Sequence, residues 1–216
     1  MKNLIAISAA AMTAASASAA VFVTNNNATW LTAVQTQYPT SDFYVDTLSN
    51  ATVSGSDVVG GHGWGEYTVT SVNTTSDLTV TGSGAARSIV ATPNPLSNDN
   101  YINFDFTDTT GVAGGVYAMG IYFTVSAAAS DPPAPMVVAS FNGSGQTYTG
   151  PFSVAPGVNF IGFWSDASEE VLDITLMFGN GTIITVTDLE FNLVPAPGAV
   201  ALVGLAGLVG SRRRRA

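Results

Sequence analysis

The chain has 216 residues, no cysteine, one histidine and a formal net charge of −9 at pH 7. This length suits a single domain, and the lack of cysteine excludes disulfides, cysteine-ligated metal centres and thiol nucleophiles. Between its two ends the chain carries 15 acidic residues against one basic residue, Arg87, which excludes nucleic-acid binding through phosphate neutralisation.

The N-terminus has the features of a secretory signal peptide in the expected order. Lys2 precedes a short apolar, alanine-rich stretch, which ends in the small residues Ala17-Ser18-Ala19. A positive first segment, an apolar core and a small-residue cleavage site define such peptides. We expect cleavage after Ala19, with Ala17 and Ala20 as alternatives. Residues 1–19 would then be the signal peptide and residues 20–193 the folded domain.

One short helix is predicted near the start of this domain, from Thr29 to Gln37. Trp30, Leu31, Val34 and Tyr38 recur at helical spacing there, which is typical of a helix with one apolar face. We expect this helix to cover the edge of a β-sandwich.

The rest of the domain alternates apolar and polar residues with a period of two. Ile102, Phe104 and Phe106 fall on one face of a strand whose other face is polar, the pattern of a half-buried antiparallel strand. Further strands are predicted at residues 43–48, 66–72, 78–81, 88–91, 121–125, 136–141, 159–164, 172–178 and 182–193. Many short strands at this spacing predict an all-β fold, a single antiparallel β-sandwich of jelly-roll-like type.

Three details of these strands carry structural predictions. The pair Asn180-Gly181 predicts a hairpin between the last two strands, and Gly60-Gly61 predicts a turn. In the last strand the apolar phase shifts near Val186–Thr187, which predicts a bulge or a strand shared between sheets.

A glycine-rich segment from Gly60 to Glu66 contains the single histidine, His62, and Trp64. No Gly-x-Ser-x-Gly motif supplies a nucleophile for His62, so we expect a surface histidine and no catalysis. Trp64 is either a buried residue at a strand start or an exposed platform for a sugar ring. Tyr117 and Tyr122 are the other candidate platform aromatics.

The acidic residues form two clusters in the sequence. Carboxylates at this density suit Ca²⁺, which takes six to eight oxygen ligands, and pairs of them suit glycoside hydrolysis. Solvated acidic loops are the alternative. The candidate ligands are Asp99, Asp105 and Asp108 in the first cluster and Asp166, Glu169, Glu170 and Asp173 in the second.

The C-terminal residues 194–216 form a separate part with three ordered features. An apolar stretch over residues 199–210 follows a proline motif and precedes four arginines. The uncharged run is just long enough for a bilayer core, and the arginines would stay cytoplasmic. The proline motif is Val194, Pro195, Ala196, Pro197 and Gly198, and the arginines are Arg212, Arg213, Arg214 and Arg215.

This tail closely resembles the PEP-CTERM sorting signal of exported bacterial proteins, with Ala196 standing where the signal usually has glutamate. The resemblance implies transient membrane insertion and cleavage near the proline motif by an exosortase, a membrane protease. The domain also resembles a β-sandwich type found upstream of such tails, which opens with a short helix, Trp30–Gln37, and closes with strands over Phe160–Phe163 and Val171–Phe191.

Three functions remain open on the sequence. The leading hypothesis is an exported, non-catalytic protein with a structural or adhesive role in the cell envelope or extracellular matrix. The alternative is a module that binds extracellular polysaccharide, with or without Ca²⁺. A glycoside hydrolase is the third.

Overall fold

The computed structural model of the chain describes residues 20–39, 41–62, 65–71, 76–94, 100–106, 116–126, 135–142, 147–166, 169–179 and 181–193. The predicted signal peptide, Trp64, Asp99, Asp108 and the whole C-terminal sorting segment lie outside these residues. The helix that is described has 11 residues. In the described part of the chain no helix combines the length and the apolarity that a membrane crossing requires.

The described strands form two seven-stranded sheets in which every pairing is antiparallel, which confirms the predicted β-sandwich. Sheet A has the order β1-β12-β9-β14-β7-β6, and β2 also pairs with β14. Its strands are β1 (Val21–Thr24), β2 (Asp42–Asp46), β6 (Ser76–Thr81), β7 (Ser88–Pro93), β9 (Val116–Val125), β12 (Asn159–Ser165) and β14 (Ile184–Leu193).

Sheet B has the order β11-β10-β13-β8-β5-β4-β3. Its strands are β3 (Thr52–Ser54), β4 (Asp57–His62), β5 (Gly65–Ser71), β8 (Asn100–Asp105), β10 (Met136–Phe141), β11 (Thr147–Pro151) and β13 (Val171–Phe178). A 3₁₀ turn, Gly84–Ala86, joins β6 to β7 in sheet A.

The main core lies between the two sheets and consists of the inward residues of the alternating strands. Ile102, Phe104, Ile174 and Leu176 are fully buried there, as their period of two predicts. Because alternate residues of a strand point to opposite faces, the residues between them face outward on sheet B.

Helix α1 (Asn27–Gln37) packs on the outer face of sheet A, where it contacts β1, β9 and β12. The Asn26 side chain caps its start by accepting from Thr29 N at 2.9 Å. Trp30 and Val34 are fully buried and Tyr38 is 5% exposed, which confirms the predicted apolar face.

Two glycines in sheet A make room for this helix. Gly162 and Gly120 are direct partners on β12 and β9. A Cβ atom on Gly162 would lie 2.4 Å from the Trp30 ring, and one on Gly120 would lie 2.6 Å from the Phe160 ring. The indole Nε1 of Trp30 donates to the Phe163 carbonyl at 3.2 Å. The missing side chains therefore open the space into which Trp30 is inserted.

The predicted bulge in the last strand is confirmed. The register of β14 with β9 shifts between Val186 and Asp188. Before the shift β14 pairs with β7, and after it with β2. One edge of β14 therefore pairs with β7 and then with β2, which belong to the same sheet. The strand does not pass from one sheet to the other.

Two turn predictions are wrong. The strands flanking Asn180-Gly181 belong to different sheets, since β13 pairs with β10 and β8 while β14 pairs within sheet A. Gly60 and Gly61 lie inside β4 rather than in a turn. Gly60 is opposite Tyr67, and a Cβ atom there would come within 2.3 Å of the Tyr67 ring. This glycine is needed for packing, not for chain reversal.

Candidate functional site

The two acidic clusters of the sequence each contribute one residue to the outer face of sheet B. Asp105 on β8 and Asp173 on β13 are direct cross-strand partners. Their neighbours Phe104 and Ile174 are fully buried between the sheets, so both carboxylates face outward. Residues opposite each other on neighbouring strands have Cβ atoms about 5 Å apart. Folding therefore brings together two carboxylates that are 68 positions apart in the sequence.

Amide and hydroxyl groups continue this row of polar side chains. Asn103 on β8 lies opposite Thr175 on β13, and its Nδ2 donates to the Thr175 Oγ1 at 2.9 Å. The same Nδ2 lies 3.5 Å from Oδ1 of Asp173. Strand pairing thus holds donors and acceptors of three chemical types in one patch.

We call the outward residues of the four central strands of sheet B the open face. Except for Glu66, which is exposed, these residues are half-buried in the described chain, and α1 packs against the other sheet. The open face consists of Glu66, Thr68 and Thr70 on β5, Tyr101, Asn103 and Asp105 on β8, Asp173, Thr175 and Met177 on β13, and Met136, Val138 and Ser140 on β10.

The open face is a grid with regular spacing. Neighbouring strands are about 4.8 Å apart and alternate residues along a strand about 7 Å. Tyr101 lies opposite Met177, which is itself opposite Met136, so an aromatic and apolar strip runs beside the polar row. This arrangement offers hydrogen-bonding groups and an apolar contact to a ligand that lies along the sheet.

The rest of the second acidic cluster lies elsewhere. Asp166 follows β12 in sheet A, and its Oδ1 accepts from Ala20 N at 2.7 Å. Glu170 forms a hydrogen bond with Tyr117 of β9. Among the described residues no group of three or more histidine, aspartate or glutamate side chains is gathered to hold a metal ion. Calcium binding stays a prediction.

Tyr117 and Tyr122 lie on the helix-covered face of sheet A rather than on the open face. Both are half-buried and pack against the cluster formed by α1. Burial, followed by the Glu170 carboxylate, raises the pKa of Tyr117. Its ring centre lies 5.8 Å from that of Tyr38.

Tyr122 is tied to the start of the helix through Glu190. Its hydroxyl donates to Glu190 Oε1 at 3.1 Å, and Asn27 Nδ2 donates to Glu190 Oε2 at 2.7 Å. Burial, followed by the Glu190 charge, raises the pKa of Tyr122 to about 12. Burial also raises the pKa of Glu190. These contacts join α1, β9 and β14, and a platform role for either tyrosine stays a prediction.

Two aromatic features were missed from the sequence. Tyr101 belongs to the open face, and its period-two spacing with Asn103 and Asp105 was the signal that could have placed it there. Phe22 on β1 and Trp164 on β12 are direct partners, with ring centres 5.2 Å apart and planes 16° from parallel. Phe22 is 40% exposed. No local pattern reveals this second pair, because it depends on the pairing of distant strands.

No protein-family model matches the chain, and no curated protein matches it either. Among solved structures it is similar in its sandwich layout to carbohydrate-binding modules. The family 29 module CBM29_1 from Piromyces equi has a TM-score of 0.42 at 12% identity, over 72% of this chain and 93% of that one. The CBM22-1 xylan-binding domain of Xyn10C from Paenibacillus barcinonensis has a TM-score of 0.43 at 16% identity, over 72% and 97%.

Proposed function

We propose that the protein binds a polysaccharide through the open face of sheet B, without cleaving it. The observation that carries this proposal is the patch of Asn103, Thr175, Asp173 and Asp105, which lies beside Tyr101 on an outer sheet face away from α1.

The chemistry of the patch suits sugar hydroxyl groups. A hydroxyl both donates and accepts hydrogen bonds, and the patch offers carboxylate acceptors, an amide with both functions and threonine hydroxyls. The ring of Tyr101 adds an apolar surface for the face of a sugar ring. Because these groups stand on paired strands, little conformational entropy is lost when a ligand binds.

Binding assays with the full chain test the proposal. Affinity electrophoresis against soluble glucans, mannans and xylans identifies a ligand, and Asn103→Ala and Tyr101→Ala should each weaken its binding about tenfold, equivalent to about 1.4 kcal/mol. Tyr44→Ala is the matched control for Tyr101, since Tyr44 is 37% exposed on sheet A. It should bind like the parent protein.

Two outcomes would contradict the proposal. If no polysaccharide binds, the structural or adhesive role becomes the better explanation of the fold. If a polysaccharide binds but Phe22→Ala weakens binding while Asn103→Ala does not, the ligand lies on the stacked pair Phe22 and Trp164 instead.

The pair Asp105 and Asp173 also bears on the hydrolase alternative. Glycoside hydrolysis needs two carboxyl groups that flank the scissile bond, whereas these two lie side by side on one sheet face. We therefore expect no release of reducing sugar from a bound polymer. Catalysis would be established if the parent protein released reducing sugar and both Asp105→Asn and Asp173→Asn lost this activity.

Export is part of the same proposal and is supported by the two ends of the sequence. Lys2 and the stretch up to Ala19 have the order of a signal peptide. Residues 194–216 have the order of a PEP-CTERM tail, which implies an exosortase as processing partner and delivery to the cell envelope or extracellular space. Mass spectrometry of the protein recovered from the producing cells tests this. Retention of residues 199–216 on all molecules would contradict cleavage of the tail.

A further inference from the structure

The backbone nitrogen of Ala20 lies against the side chain of Asp166. It donates to Oδ1 of Asp166 at 2.7 Å, and Asp166 N donates back to the Ala20 carbonyl at 3.2 Å. These contacts extend the pairing of β1 with β12, in which Val21 lies opposite Ser165. The strand ladder therefore runs up to the residue that follows the predicted cleavage site.

The end of helix α1 holds Asp166 in place. Gln37 Nε2 donates to the Asp166 carbonyl at 2.6 Å, and the Tyr38 hydroxyl donates to the Ser165 carbonyl at 2.5 Å. Arg87, the one basic residue in the described ranges, directs its Nη1 to the Ser49 and Ala51 carbonyls. The helix end thus holds the backbone around Asp166, and the exposed Asp166 carboxylate contacts Ala20.

We propose that Asp166 is the binding site for the α-ammonium group that signal-peptide cleavage creates on Ala20. Hydrolysis of the Ala19–Ala20 bond consumes one water and leaves a carboxylate on Ala19 and an ammonium group on Ala20. The atom that gains the charge is the one that already contacts Asp166. The ammonium group has three N–H donors, whereas the peptide nitrogen that it replaces has one. Its hydrogen bond to a carboxylate is charge-assisted. This inference rests on the proposed export.

The ionisable groups around this position favour a positive charge there. Burial raises the pKa of Tyr38, and Tyr117, Asp166 and Glu169 raise it further, so both carboxylates lie within electrostatic range of that phenol. Glu170 forms a hydrogen bond with Tyr117. Carboxyl and phenol groups never carry a positive charge, so an ammonium group on Ala20 would be the positive partner for the acidic side chains around it.

The structure distinguishes the three cleavage sites that the sequence leaves open. Cleavage after Ala17 would place the charge on Ser18, two residues before Ala20, and would leave Ala20 N an uncharged peptide nitrogen. Cleavage after Ala20 would remove the residue whose carbonyl accepts from Asp166 N. Only cleavage after Ala19 places the ammonium group on the atom that contacts the Asp166 carboxylate.

The test measures the pKa of the α-amino group in the chain that begins at Ala20 and runs to Ala216. The pH dependence of N-terminal acylation, followed by mass spectrometry, reports this pKa. We expect the pKa of this α-amino group to lie about 0.5 above the ordinary range of 7.7–8.0. Asp166→Asn should return it to the ordinary range. Asp77→Asn, which removes an exposed carboxylate on β6, should leave it raised. A chain that begins at Ser18 should have an ordinary α-amino pKa.

Two results would overturn the proposal, and they are distinguishable. An α-amino pKa that is the same in the parent and in Asp166→Asn would exclude the ion pair whatever the cleavage site. An exported protein that begins at a residue other than Ala20 would exclude formation of the ion pair in the cell. This holds even if the ion pair forms in the chain that is made to begin at Ala20. An exported protein that begins at Ala20 and loses the raised pKa in Asp166→Asn supports the proposal.

Discussion

Tyr67 donates a hydrogen bond of 2.9 Å from its hydroxyl to Oδ2 of Asp46, and the two side chains are 1% and 3% exposed. Tyr67 is on β5 of sheet B and Asp46 ends β2 of sheet A. The other carboxylate oxygen accepts from Leu48 N at 2.7 Å, where the chain turns with a φ of 58°. This buried pair joins the two sheets and orders the chain that follows β2.

We expect Tyr67→Phe to lower the free energy of unfolding by about 1.5–3 kcal/mol, because the carboxylate of Asp46 loses a buried donor. Urea denaturation of the parent and the variant measures the difference. Tyr44→Phe removes a hydroxyl from a tyrosine that is 37% exposed, and it should change stability by less than about 0.5 kcal/mol. Equal stability of Tyr67→Phe and the parent would show that the hydrogen bond has no net effect.

Stability should fall in alkaline solution. Burial raises the pKa of Tyr67 and of Tyr38, and it raises the pKa of Tyr122 to about 12. A group with a raised folded-state pKa stabilises the fold below its unfolded-state value, here about 10, and loses this effect as the pH rises through the folded-state value. Denaturation midpoints between about pH 8 and 12 should therefore decrease above about pH 10. Phenolate absorbance that rises together with loss of the fold is the matching signal, and constant midpoints would contradict this prediction.

Gly162→Ala should destabilise the contact between α1 and sheet A. The new Cβ would lie 2.4 Å from Cδ1 of Trp30, a fully buried side chain, and such overpacking costs about 1–3 kcal/mol. Thermal unfolding measures the loss, and hydrogen exchange locates it in α1. Gly55→Ala is the control: a Cβ there meets nothing within 4 Å, and only its positive φ is strained. That variant should leave exchange in α1 unchanged, and normal protection of α1 in Gly162→Ala would contradict the packing.

Ligand charge should govern binding at the open face. Asp105, Asp173 and Glu66 are its charged residues, all of them acidic, and Arg87 is engaged by two backbone carbonyls. We expect a neutral polymer to bind at least about tenfold more tightly than a uronic-acid polymer at low salt, and the difference to shrink as salt screens the repulsion. The double variant Asp105→Asn and Asp173→Asn should reduce the difference in affinity between the two polymers. Asp77→Asn is the control and should leave this difference unchanged. Tighter binding of the acidic polymer would contradict this charge distribution.

The sequence by itself determined the elements and the faces of this protein. The period of two placed Ile102 and Phe104 in the core and left Asn103 and Asp105 outside, and helical spacing identified the buried face around Trp30 and Val34. These patterns are local, because a side chain's direction follows from its position along a helix or strand. The bulge near Val186 was predictable for the same reason.

Only the tertiary structure decided which strands pair, and therefore which side chains meet. The Asn180-Gly181 pair suggested a hairpin, but the strands on either side joined different sheets. Gly60 belongs to a pair typical of a turn, but the ring of Tyr67 occupies the place where its Cβ would be. The partners Asp105 and Asp173, Phe22 and Trp164, and Ala20 and Asp166 are each separated by 68 or more positions. Contacts of that kind depend on strand order and register, which no local pattern encodes.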